Sequence, residues 1–106
     1  LANTINKMIK NDVVTLVIDL HADEVLETTA GMNSADILHY QMDIFKKTME
    51  EYKKKKGQKI IFIHGKGEGV LRQTLIHELN YRYKSCTYQD ASFQEYGYGA
   101  TQVTIK

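Results

Sequence analysis

The stretch Phe62-Ile63-His64-Gly65-Lys66-Gly67-Glu68-Gly69-Val70-Leu71-Arg72 decides how this chain folds. A β-branched apolar run, Ile60-Ile61-Phe62-Ile63, stops at a histidine followed by glycines at every second position. Val70, Leu71, Leu75 and Leu79 then recur at helical spacing, with Arg72 in the first turn. The order strand, glycine loop, helix leaves unpaired backbone N–H groups and a positive helix terminus at the end of a buried strand. That arrangement favours an anion. The loop lacks the G-x-x-x-x-G-K pattern followed by Ser or Thr, and its G-x-G-x-G spacing is not the dinucleotide fingerprint. A tight turn with close strand–helix approach would require the same glycines with nothing bound.

Upstream, Val13-Val14-Thr15-Leu16-Val17-Ile18 is apolar enough for a strand buried on both faces, and it ends in Asp19-Leu20-His21. Residues 19–33 read as a polar loop with a short helical turn around Glu24 to Thr28. Ser34, with Asn33 before it, offers a helix N-cap. Ile37, Leu38, Gln41, Met42, Ile44, Phe45, Thr48, Met49 and Tyr52 define a broad helical face, ended by lysines and Gly57. Downstream of the second helix, Cys86 to Tyr88 is a short strand. Tyr96-Gly97-Tyr98-Gly99-Ala100 is a turn, and Thr101 to Ile105 alternates as a terminal strand. Residues 1–12 are weakly patterned and read as a linker or capping segment, which leaves 13–106 as a single domain.

The element order is β-α-β-α-β-β. Strands separated by helices favour parallel neighbours, and two such units put both helices on one face. The expected architecture is an α/β two-layer sandwich with a four-stranded mixed sheet. Its last strand follows a loop of about a dozen residues and could run antiparallel at an edge or beside the first strand.

Composition narrows the function classes. At 106 residues, 42% hydrophobic and 25% charged, the chain suits one globular core and argues against disorder. It begins at Leu1 rather than methionine, which points to a domain cut from a longer parent chain. No apolar run approaches the ~20 residues of a membrane span. The single Cys86 excludes an internal disulfide framework and fits a reducing, cytoplasmic compartment. It reads as an inert buried thiol. Four histidines without C-x-x-C or H-x-x-x-H spacing give no structural zinc site. The net charge of +1 argues for no polyanion partner by itself, although seven lysines fall between Lys46 and Lys59. A solvated helix end complementing the helix dipole is the simpler reading of that run, and a nucleic-acid stripe is the other.

In open sheets, binding sites lie beyond the carboxyl ends of parallel strands. Asp19 and His21 follow one strand and His64 to Gly69 follow the next, so parallel pairing would put both groups on one rim. That rim holds an acid, two imidazoles, a glycine loop, Lys66 and Arg72. The inventory suits phosphodiester chemistry, with loop amides and Arg72 gripping phosphate and an imidazole or a metal-bound water as general base. Each residue also has a plain structural role. Either histidine can serve packing alone, Asp19 can cap a turn, and Arg72 can pair with Asp90 or Glu95. The aromatics between Tyr88 and Tyr98 can pin their loop to the sheet or stack on bases.

Three motifs give a resemblance. Ile18-Asp19-Leu20-His21-Ala22 is similar to the Leu-Asp-Leu-His-Gly motif of the Smr (small MutS-related) domain. His64-Gly65-Lys66-Gly67, followed by Gly69-Val70-Leu71-Arg72, matches that family's Thr/His-Gly-x-Gly and Gly-x-Leu-Arg. Gly97-Tyr98-Gly99-Ala100-Thr101-Gln102-Val103 matches its closing Gly-x-Gly-Ala-Thr-x-Val. The chain thus resembles Smr domains from Val13 to Ile105, most closely those ending uncharacterised proteins of Bacteroides-type bacteria. Ala22 stands where the family commonly has glycine.

The resemblance implies a fold similar to the C-terminal domain of translation initiation factor three. It also implies DNA or RNA as partner and, in several members, Mg2+- or Mn2+-assisted nicking. Carried onto this chain, it makes Asp19, His21 and His64 the catalytic residues, and Gly65, Lys66, Gly67, Gly69 and Arg72 the phosphate-binding ones. The alternative reading is a non-catalytic interaction module of a larger protein, binding an acidic peptide or small anion.

Overall fold

The computed structural model of the chain describes residues 5–10, 13–21, 30–65, 69–96 and 99–106. Its elements are β1 (Ile5–Lys10), β2 (Val13–Asp19), α1 (Ser34–Tyr52), β3 (Lys59–Ile63), α2 (Val70–Arg82), β4 (Thr87–Asp90), α3 (Phe93–Tyr96) and β5 (Ala100–Thr104). The sheet order is β1-β2-β3-β5-β4. β2 and β3 are parallel, from Thr15 opposite Lys59 to Asp19 opposite Ile63. β5 runs antiparallel to both β3 and β4. The four expected strands thus form a mixed sheet, and a fifth joins them. β1 lies within the segment read as a linker or cap and pairs antiparallel along β2, from Ile5 opposite Ile18 to Lys10 opposite Val13.

The last strand is antiparallel, but it lies neither at an edge nor beside the first strand. It enters between β3 and β4. Side-chain character explains the order. All four residues of β4, Thr87-Tyr88-Gln89-Asp90, are exposed, which suits an edge. In β5, Ala100, Thr101 and Val103 are buried, which suits an interior strand.

One face of the sheet carries both long helices. Leu16, Ile18 and Leu20 from β2 and its end, Ile60 and Phe62 from β3, and Val103 and Ile105 pack against Met42, Phe45 and Met49 of α1, Leu75 and Leu79 of α2, and Tyr83 at the C-cap of α2. Phe45 is fully buried at the centre, edge-on to Phe62 (4.8 Å between centroids) and to Tyr83 (6.2 Å). Burying a ring of this size stabilises the fold by about 2–3 kcal/mol. The opposite face buries Val17, Ile61, Ala91 and Ala100, with Ile63 packed against them. Burial on both faces is what the unbroken apolar runs of β2 and β3 require.

α1 starts one residue earlier than the sequence suggests. Asn33, not Ser34, is the N-cap. Its side chain accepts from the Asp36 N–H at 2.8 Å, and the Asp36 carboxylate accepts from the Asn33 N–H at 3.3 Å. This reciprocal box satisfies two otherwise orphaned donors. Cys86 sits just before β4 and is half-buried against the core. The helical turn expected near Glu24 to Thr28 lies outside the described residues.

Candidate active site

The parallel pairing of β2 with β3 brings Asp19 and His21 beside the first residues after β3, and the Leu20 N–H donates to the Ile63 carbonyl at 2.8 Å. At the end of β2 one carboxylate oxygen does two jobs. Asp19 Oδ1 accepts from the His21 backbone N–H at 2.9 Å and from His21 Nδ1 at 2.8 Å. The turn-capping role and the imidazole-holding role of Asp19 are therefore compatible. Because Nδ1 carries the proton shared with Asp19, Nε2 is the ring nitrogen left to meet a ligand. His21 remains about half exposed.

His21 Nε2 lies against Gly65. A Cβ placed on Gly65 would sit 2.6 Å from Nε2 and 3.0 Å from Cδ2, and φ at Gly65 is +78°. Glycine is thus required twice at this position, for the left-handed backbone and for the imidazole that fills the side-chain space. Gly65 in turn touches Gly99. A Cβ on Gly99 would fall 2.3 Å from the Gly65 carbonyl carbon. The Gly99 carbonyl accepts from the N–H groups of His64 (2.8 Å) and Gly65 (2.9 Å).

His64 is only 8% exposed. Its Nδ1 is 3.0 Å from the Gly65 carbonyl, which can only accept, so Nδ1 carries the proton. Nε2 then accepts from the Thr101 hydroxyl at 2.9 Å. Both ring nitrogens are engaged within the protein. Burial holds the His64 imidazole below its usual range. The hydrogen bond to the Gly65 carbonyl opposes that shift, the charge of Arg72 adds to it, that of Asp90 opposes it, and His21 adds a further push downward.

The N-terminus of α2 opens onto the same region. Gly69 caps it in the left-handed conformation (φ +82°), no side chain caps it, and its first turn carries no acid. Arg72 projects from that turn and donates to Asp90 Oδ1 at 3.0 Å, with both side chains largely exposed. Of the two carboxylates the sequence offered to Arg72, this contact is to Asp90. Lys66 and Gly67 lie outside the described residues.

The structure thus brings Asp19, His21, His64 and Gly65 into one connected cluster, with Gly69 and Arg72 at the adjoining helix start. It adds two residues that were read only as parts of a motif, Gly99 and Thr101. The signal for both was their place in Gly97 to Val103, and the unusual burial of Thr101, 1% exposed, gives it weight.

The Smr domain profile matches residues 18–106, and the described residues of the three motifs meet at one place. The chain belongs to the Smr domain family. Among solved structures, the Smr domain of Thermus thermophilus MutS2 is similar with a TM-score of 0.61 and 23% identity, over 85% of this chain and 96% of that one. That likeness concerns the fold. No curated protein matches the chain. In this Smr domain the first motif supplies Asp19 and His21, the second His64 and Gly65, and the third Gly99 and Thr101, all from adjacent strand ends.

Proposed function

We propose that this Smr domain binds DNA or RNA and nicks phosphodiesters, with His21 as general base. The observation that carries the reading is the Asp19–His21 pair. It fixes the imidazole with Nδ1–H toward the carboxylate and Nε2 at the glycine loop, beside an uncapped helix N-terminus and Arg72. In the reaction, Nε2 takes a proton from a water as its oxygen attacks phosphorus. The P–O bond to the leaving strand breaks, and the departing oxygen collects a proton from the imidazolium or from solvent. Backbone amides at the start of α2 and the guanidinium of Arg72 hold the phosphate oxygens.

His64 we assign a positioning role. Its two hydrogen bonds tie the Gly65 carbonyl to Thr101 of β5 and hold the loop against which His21 rests.

The described residues include no group of three histidine, cysteine or carboxylate side chains placed to hold a metal ion. Asp19 Oδ1 is already occupied by His21. Among the described residues no divalent-metal site is formed, and the proton transfer rests on His21. Mg2+ and Mn2+ enter as arms of the test.

That test is nicking of supercoiled plasmid and of a structured RNA, with and without Mg2+ or Mn2+, by wild type, His21→Ala, Asp19→Asn and His64→Gln. A missing general base costs about 10²–10⁴ in rate. His21→Ala should fall to that extent, Asp19→Asn should fall because its amide no longer selects the tautomer, and His64→Gln should retain most activity. Equal residual cleavage in all four folded proteins would make the non-catalytic interaction module the better reading.

A further inference from the structure

We infer that this Smr domain has a second phosphate-backbone surface, a lysine pole at the end of the sheet opposite the His21 rim. The inference rests on the nucleic-acid reading above and adds a surface that reading does not use.

The pole is assembled by the topology. α1 runs from the rim side, where Gln41 Nε2 donates to the Leu20 carbonyl, to the far end, where it stops at Tyr52 and the chain continues through Lys53 to Lys56. The next turn is tied to the end of the last strand. The Gly57 N–H donates to the Ile105 carbonyl, and the Ile105 N–H donates to the Gln58 carbonyl. Lys106 follows directly. Lys59 starts β3 opposite Thr104. On the other side of β5, Thr87 also pairs with Thr104, so the loop carrying Lys84 lies at the same end. The Tyr83 hydroxyl donates to Glu50 Oε2 at 2.9 Å and joins the ends of the two helices there.

Six exposed lysines from four separate segments therefore share one pole: Lys54, Lys55, Lys56, Lys59, Lys84 and Lys106. Helix ends account for Lys54, Lys55 and Lys56, which follow α1, and for Lys84, which follows α2. Lys59 and Lys106 lie at the ends of strands, which carry no comparable dipole. Their charges are also unspent. Lys55 sits 5.0 Å from the Tyr52 ring centroid, and the other five pair with no carboxylate among the described residues. Of the two carboxylates at the end of α1, Glu50 is taken by Lys53 at 2.7 Å and by Tyr83, and Glu51 is engaged with the Tyr52 hydroxyl.

At the rim, by contrast, the described basic group is Arg72, already bonded to Asp90, and Asp19 adds a second carboxylate. Among the described residues, positive charge is therefore denser at the pole than at the rim. From Lys59 to Ile63 is four strand steps, and His21 lies two residues beyond the partner of Ile63. The pole and the rim are thus roughly 20 Å apart along the strands, about six base-pair steps of duplex at 3.4 Å each.

The test uses the chain with Lys54→Gln, Lys56→Gln and Lys84→Gln combined. These side chains are exposed and form no ion pair among the described residues, so the melting curve by circular dichroism should be unchanged. Each single variant serves as a fallback. Fluorescence anisotropy against a short labelled duplex DNA, a single-stranded RNA and phosphatidylserine vesicles is measured across a salt series. Each phosphate contact removed from duplex lowers the slope of log K against log salt by about 0.9. Losing three contacts shrinks the affinity drop between roughly 50 and 200 mM salt by about 40-fold. We expect weaker nucleic-acid binding and a flatter slope in the triple variant, with single variants each near one contact. Wild-type affinity and slope in the variant would overturn the pole while leaving the nucleic-acid reading intact, and so would a loss confined to the vesicles. Absence of nucleic-acid binding by the wild type would remove both.

Discussion

Gly65→Ala separates two demands that the rim places on one residue. Its φ of +78° makes any L side chain there strained, at a cost of about 1–2 kcal/mol. Its second demand is spatial, because the new methyl would stand 2.6 Å from His21 Nε2. Ordinary contact is about 3.5 Å, so the ring must retreat by roughly 0.9 Å. His21 is half exposed, so the ring can retreat toward solvent, and in doing so it gives up the 2.8 Å bond from Nδ1 to the partly exposed Asp19, which adds little to the stability cost. A misplacement of about 1 Å in a catalytic group costs on the order of 10²-fold in rate. The control is Gly57→Ala, where φ is +88° and nothing lies within 4 Å of the added methyl. Both variants should lose about 1–2 kcal/mol in urea unfolding, but only Gly65→Ala should lose nicking. Only Gly65→Ala should also shift the His21 imidazole resonances by NMR, a readout that does not depend on activity. If Gly65→Ala nicks at the rate of Gly57→Ala and leaves those resonances in place, the imidazole does not rest on the glycine and the argument fails.

Gly99→Ala should be far more damaging, because its methyl meets backbone atoms of Gly65 at 2.3–2.7 Å that no rotamer change can relieve. Overpacking of about 1–3 kcal/mol plus two weakened backbone bonds at about 1 kcal/mol each predicts a loss of roughly 3–5 kcal/mol by denaturant titration. A shift under 1 kcal/mol would contradict the close approach. Thr101→Val leaves His64 Nε2 buried without its donor and should cost about 1–3 kcal/mol, measured the same way. Stability should also depend on pH through His64. Burial lowers its folded-state pKa from the usual 6.5, so the unfolded chain takes up the proton first as pH falls. The contribution is therefore complete above about 6.5 and is lost as pH drops through the folded value. Urea midpoints for the wild type should fall over that window, and His64→Gln should flatten the curve relative to it.

Much of the fold was legible because local and global signals agreed. The all-apolar runs of β2 and β3 announced strands buried on both faces, and their separation by a long amphipathic helix announced parallel pairing. The position of β5 was not legible from periodicity. A connection of about a dozen residues permits several returns, and only the contrast between polar Thr87-Tyr88-Gln89-Asp90 and the alternation from Ala100 onward marks which strand belongs inside. β1 was missed for a related reason. An edge strand exposes one side to solvent, and Ile5 to Lys10 carries too little alternation to stand out. At the rim, the sequence named Asp19, His21 and Gly65 but could not order their bonds. Two histidines at two strand ends look equivalent on paper. In the fold they differ: His21 has a nitrogen facing the glycine loop, while His64 spends both on Gly65 and Thr101.

The glycines of the second and third motifs acquire a different meaning from that geometry. A glycine loop after a strand suggests phosphate first, yet Gly65 and Gly99 are already filled, one by an imidazole and the other by a neighbouring backbone. The bonds run in sequence from Thr101 to His64, from His64 to the Gly65 carbonyl, and from both N–H groups to Gly99. The ring of His21 rests on this assembly and is held from behind by Asp19. Three strand ends thus fix one nitrogen. Phosphate contacts are left to the start of α2 and, on the inference drawn above, to a lysine pole roughly 20 Å away. Attraction and chemistry then occupy opposite ends of the sheet, and kinetics should separate them. Lysine variants should raise KM with kcat retained, because the charge they remove acts equally on ground and transition states. His21 and Gly65 variants should lower kcat with little change in KM. If the lysine variants lower kcat instead, the two ends are coupled, and the pole positions the scissile phosphate rather than merely attracting the strand.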